Sequence, residues 1–202
     1  MDLQLHTFAS EAYKSVVRRA VRFFATTPIV RLPPPEPFAG CGVYALYYSG
    51  DFAPYAHLSR ANRRTAAVPI YVGKAVPPGT RKARRGPEDS SDLYGRLAEH
   101  SRSIEQATNL HPEDFVCRFM ILTGEATDLV VPAETELIRR HQPLWNCVVD
   151  GFGNHDPGAG RYNQAPSEWD VLHPGRYWVS RLTGVPPPVD RIVARIRRPG
   201  RS

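Results

Sequence analysis

At 202 residues, 42% of them hydrophobic, the chain is long enough to bury a core and favours one elaborated domain. A formal net charge of +6 attracts polyanions and is typical of nucleic-acid binders. No apolar run approaches the roughly 20 residues needed to span a bilayer, and the opening MDLQLHTFASEAYK lacks a signal-peptide pattern, so a cytoplasmic protein is expected.

Cys41, Cys117 and Cys147 lie far apart without a CxxC pair, which points to neither a zinc site nor a disulfide framework. Of the 26 basic residues only Lys14, Lys74 and Lys82 are lysines. Arginine's planar fork suits phosphate and guanine, so the bias fits DNA readout; it fits GC-rich coding sequence equally well.

In chain order, Ser10 can cap a helix in which Tyr13, Val16, Val17, Ala20, Val21 and Phe24 recur at helical spacing, ending before Pro28. A proline-rich connector leads into VYALYYS, read as a buried strand, and VPIYVGKA reads as a second. The segment between them, DFAPYAHLSRANRRTAA, carries Arg60, Arg63 and Arg64 and reads as an insertion exposed on one face. After the second strand comes a turn-rich basic loop with Arg81, Lys82, Arg84 and Arg85, suited to phosphate contact.

Ser90 or Ser91 can cap a helix through DLYGRLAEHSRSIEQAT, which puts Arg96 and His100, four apart, on one face. FVCRFMILT alternates as a third strand, and PAETELIRRHQ is a helix with Pro132 in its first turn and Glu134 on one face with Leu137, Ile138 and His141. The remainder, dense in Gly, Pro and aromatics, reads as a decorated loop arm with one short helix around 175–182 and an Arg-rich tail that frays. The predicted architecture is α/β (α+β): a small mixed or antiparallel three-stranded sheet flanked by helices. Its core spans about 40–147, with a helix over 10–27, insertions at 50–67 and 76–91, and an arm over 148–202.

Two strands bearing GVY and YVG, a helix with Arg96 and His100, a helix with a glutamate and a PLWN segment follow one another in the order of the GIY-YIG nuclease superfamily, which this chain resembles. The segments VYALYY, PIYVGKAVP, VVDGFGNH, PGAGR and WDV with HPGR are similar to a type II restriction endonuclease subfamily that cuts the palindrome CCGCGG. The resemblance implies an active site of Tyr44, Tyr71, Arg96, His100, Glu134 and Asn146. It also implies double-stranded DNA as substrate and a companion DNA methyltransferase. A palindromic target implies a homodimer.

The chemistry is consistent with that set. Glu134 is one carboxylate able to hold one Mg²⁺ (or Mn²⁺) that keeps several waters; Glu136 is a rival for the role. Arg96 can bind the scissile phosphate, while Asn146 and His100 orient groups by hydrogen bonding. The resemblance implies Tyr44 as the leading general base, with His100 assisting by accepting or relaying the proton, and Tyr71 positioning that base, the water or the phosphate. A free tyrosine is deprotonated only about one part in a thousand at neutral pH, so Arg96, Lys74 and the cation are expected to depress the phenol's pKa. Candidates for DNA contact are Lys74, Arg81, Lys82, Arg84, Arg85, Asn154, Arg161, Asn163 and Gln164.

Residues Ala12, Val72 and Thr80, two before each lysine, exclude a (D/E)xK nuclease. An HNH nuclease built on Asn154 and His155 lacks a suitable second histidine on a following helix. A GIY-YIG repair or homing nuclease and a non-catalytic DNA-binding module remain as alternatives.

Overall fold

The computed structural model describes residues 1–76 and 92–197. The basic loop with Arg81, Lys82, Arg84 and Arg85, and the capping serines Ser90 and Ser91, lie outside the described residues.

Helix α1 (Glu11–Thr26) starts where the Ser10 hydroxyl accepts the Tyr13 N–H, satisfying one of the amides a helix leaves open at its N-terminus. It buries Val17, Val21 and Phe24, while Tyr13 and Val16 remain exposed. Strands β1 (Ile29–Arg31), β2 (Cys41–Tyr48), β3 (Tyr71–Ala75) and β4 (Phe115–Leu122) form one antiparallel sheet in the order β1-β4-β2-β3. The sheet therefore has four strands, not the three expected. The extra one, β1, pairs with β4 through Ile29–Arg118 and Arg31–Val116. The Arg118 guanidinium donates to the carbonyls of Ala25 and Thr27 and fastens the turn between α1 and β1.

Between β2 and β3 lies α2 (Ala56–Asn62), and the insertion is not simply an exposed excursion. Tyr55, Leu58, Ser59 and Asn62 are buried, and the Asn62 amide bridges Tyr48 O, Val68 O and the amides of Ala67 and Val68. Arg60, Arg63 and Arg64 are exposed as expected. Helices α3 (Asp92–Gln106), α4 (Val130–His141), α5 (Leu144–Cys147), α6 (Glu168–Leu172) and α7 (Val189–Arg197) complete the described elements.

Side chains alternate across the sheet, so each face builds its own core. On one face Val43, Ala45, Tyr47 and Val72 meet Val21 and Phe24 of α1 and Val130, Ala133 and Leu137 of α4. On the other, Tyr44, Leu46 and Tyr48 meet Leu93, Leu97 and Ile104 of α3 together with Trp145, Phe152 and Trp169. The segment beyond Asn146 thus contributes to the core as well as decorating it. The short helix expected around 175–182 is only a single 3₁₀ turn at Val179–Arg181; α6, capped by Ser167, comes earlier. Among the described residues no helix is long and apolar enough to cross a membrane.

Candidate active site

β3 is the sheet's outer strand on this side, and the cleft wraps around it. Tyr71 points to the α3 face, whereas Lys74, three residues on, emerges toward α4. Both reach a cavity of about 820 Å³ lined by Tyr44, Tyr71, Lys74, Arg96, Glu99, His100, Glu134, Gly153 and His155, among others. Five of the six motif residues meet there. Asn146 does not line the cleft.

The glycines of GVY and YVG have steric roles. A Cβ on Gly73 would lie 2.5 Å from the Tyr44 ring and hydroxyl, so the glycine leaves room for the phenol lying across β3. A Cβ on Gly42 would lie 1.9 Å from the Met120 carbonyl on β4, so that strand pair closes only over glycine.

Tyr44, on the central strand β2, is 2% exposed, and its hydroxyl lies 2.6 Å from His100 Nε2. His100 comes from α3 and is buried between the Tyr71 ring, edge-on at 5.1 Å, and the Phe152 ring, stacked at 4.6 Å. Burial, and then the charge of Arg96, hold its pKa down at about 3, so the imidazole is neutral at physiological pH. Burial pushes the Tyr44 phenol well above its ordinary range; Arg96 pulls the other way and is outweighed. Tyr71 is raised too, by burial and by the Glu134 charge. The protein's own groups therefore raise the tyrosines, opposite to the expected depression, because burial of the phenolate costs more than Arg96 returns.

Arg96, one turn before His100, is exposed at the rim, where its NH1 donates to Glu99 Oε2 at 3.0 Å and to His155 Nε2 at 2.9 Å. Glu134 on α4 receives the Lys74 ammonium. Glu136, the rival carboxylate, is held instead by Arg139 and Arg140, which keep its pKa down at about 2. The Asn146 side chain accepts the Val72 N–H at 2.8 Å and donates to the Val72 carbonyl at 2.9 Å. It acts on the strand between Tyr71 and Gly73 and sets where Tyr71 stands.

Of the remaining candidates, Lys74 lies in the cleft, and Asn154, Arg161 and Gln164 line an adjoining cavity of about 310 Å³. Asn163 is exposed outside both. His155, Phe152 and Gly153 at the site were not among the expected residues, although the VVDGFGNH segment that holds them stood out. Among the described residues no cluster of three or more His, Cys, Asp or Glu side chains is placed to hold a metal.

A family model described as the Eco29kI GIY-YIG domain matches residues 36–199, a span that takes in both tyrosine strands, α3, α4, α5 and the segment beyond them. Nothing among curated proteins matches. The chain, with its GVY and YVG strands meeting Arg96, His100 and Glu134 in a single cleft, belongs to the Eco29kI GIY-YIG family of nuclease domains.

Proposed function

We propose that the chain is a type II restriction endonuclease that hydrolyses double-stranded DNA at a short GC-rich palindrome, CCGCGG by its family resemblance. It acts as a homodimer with one Mg²⁺ or Mn²⁺ per site, alongside a companion methyltransferase. The observation that carries this reading is the 2.6 Å contact between Tyr44 Oη and a neutral His100 Nε2, buried at the floor of a cleft that opens between Arg96 and the Lys74–Glu134 pair.

That contact supports a proton relay. With His100 neutral, its Nε2 lone pair can accept the Tyr44 proton while Tyr44 Oη takes one from the attacking water. Neither a standing phenolate nor a standing imidazolium is required, and burial opposes both. Arg96, already at the rim, binds a non-bridging oxygen of the scissile phosphate and offsets the charge that grows on it. Asn146 and Tyr71 hold the geometry around Tyr44.

Glu134 fits a single hard cation that keeps most of its waters, since it presents one carboxylate to the cleft; the Lys74 ammonium now paired with it would have to yield to such a cation. Such a cation, when bound, supplies Lewis-acid help to the departing 3′ oxygen.

The test is digestion of plasmid DNA with Mg²⁺ followed by sequencing of the ends, with Glu134→Gln as control. Discrete fragments ending within CCGCGG, lost in the variant, are expected. Junction-specific or scattered cuts would instead identify a repair or homing nuclease, and intact DNA a binding module.

A further inference from the structure

Arg176 is 3% exposed, and its guanidinium lies over the rings of Trp169 at 4.6 Å and Trp178 at 5.0 Å. Its Nε donates to Asp170 Oδ1 at 2.6 Å, NH1 to the carbonyls of Phe152 at 3.0 Å and Asn154 at 2.9 Å, and NH2 to Gly151 O at 2.8 Å. A buried cation committed in this way fixes one backbone turn: Arg176 has no freedom to rotate away without leaving the buried Asp170 carboxylate with no counter-charge.

That turn reaches the cleft through Phe152, Gly153 and His155. Phe152 stacks on His100. Gly153 sits with its Cβ position 3.2 Å from Tyr71 Oη, so a larger residue would press on that tyrosine. His155 Nε2 takes the Arg96 N–H at 2.9 Å. A guanidinium can only donate, so Nε2 is unprotonated here and the ring proton is on Nδ1. Glu99 and His155 thus hold Arg96 from two sides, one on α3 itself and one across the cleft.

On the nuclease reading above, we propose that His155 is a positioning residue for cleavage. Held by the Arg176 clamp, it orients the Arg96 guanidinium toward the scissile phosphate. Farther along the same chain, Asp156, Pro157, Arg161 and Gln164 line the neighbouring cavity together with Asn154 and His155. The cleft and that cavity thus share one backbone turn.

Single-turnover cleavage of plasmid DNA with Mg²⁺, DNA affinity without metal, and thermal unfolding would be measured for wild type, His155→Ala and His155→Gln. His155 is exposed, so neither variant disturbs the core. The alanine variant is expected to cleave roughly 10- to 100-fold more slowly, the scale of a misplaced catalytic group, while its DNA affinity stays within about twofold. Glutamine, whose amide oxygen can accept the same Arg96 N–H, is expected to restore most of the rate. Unchanged cleavage in the alanine variant, a loss that glutamine does not rescue, or a loss matched by weaker DNA binding each overturns the proposal. A wild-type chain that leaves DNA intact overturns the nuclease reading and this one with it; a wild type that cuts alongside an equally fast alanine variant overturns this one alone.

Discussion

Tyr44 Oη and His100 Nε2 are 2.6 Å apart, joining the central strand of the sheet to the helix that covers it. The phenol is held protonated and the imidazole neutral by the same burial, so the pair can pass a proton without first holding a charge.

Tyr44→Phe removes the only oxygen in that relay while keeping the ring that packs among Leu46, Leu97 and their neighbours. Cleavage should fall by at least about a thousandfold, in the range of a lost acid–base group, with specific DNA binding retained. A gel-shift assay beside single-turnover cleavage separates the two; near-normal turnover would remove Tyr44 from the mechanism.

The rate should be nearly independent of pH between about 7.5 and 9 at saturating metal. His100, depressed to about 3, is already unprotonated and competent across that window, and it loses competence only as pH falls toward that value. A preformed phenolate would behave differently: with its pKa raised, its fraction would grow about tenfold per pH unit throughout the window. Single-turnover rates over that range distinguish them, a slope near one contradicting the relay.

Gly73→Ala should impair cleavage about a hundredfold while changing no titratable or metal-binding group. The added methyl meets the Tyr44 ring at 2.5 Å in a packed core, and the ring has to move from His100. Wild-type activity in this variant would show that the phenol's placement against β3 is not needed.

Stability should decline on acidification before the carboxylates titrate. His173 is fully buried, hydrogen-bonded to Tyr55 Oη at 2.7 Å and to Asn109 Oδ1 at 2.9 Å, and its pKa, like that of His100, is held down at about 3, chiefly by burial. Unfolding lets both bind protons below their ordinary value near 6.5. The contribution is thus present in full above about 6.5 and is lost as pH falls from there toward 3, by up to about 1.4 kcal/mol per pH unit for each histidine. Urea midpoints at pH 7 and pH 5 test this, and equal midpoints would contradict it.

Element order was legible because it rests on local pattern: the apolar run at 43–48, the alternation at 115–122 and the Arg96–His100 spacing each need only neighbours. What escaped depends on distant partners. Ile29–Arg31 is too short to read as a strand beside the prolines that follow, and it exists because β4 offers it a ladder. The Gly- and Pro-rich stretch after Asn146 reads as loop, yet Phe152, Trp169 and Trp178 are buried around Arg176, which lies over both tryptophans and binds the carbonyls of the Gly151–Asn154 turn. The direction of the tyrosine shifts followed the same rule. The charges of Arg96 and Glu134 are visible in a sequence, whereas the depth at which Tyr44 lies is not.

Asn146 also has a consequence for assembly. The outer side of β3 would offer open amide and carbonyl groups to any passing strand, the usual route by which sheets fuse between molecules. At Val72 both groups are already taken by the Asn146 amide, and the Ile70 carbonyl accepts the Trp145 N–H. At Ile70 and Val72 the backbone beside Tyr71 is therefore closed to edge-to-edge joining, while the Tyr71 side chain remains open to the cleft.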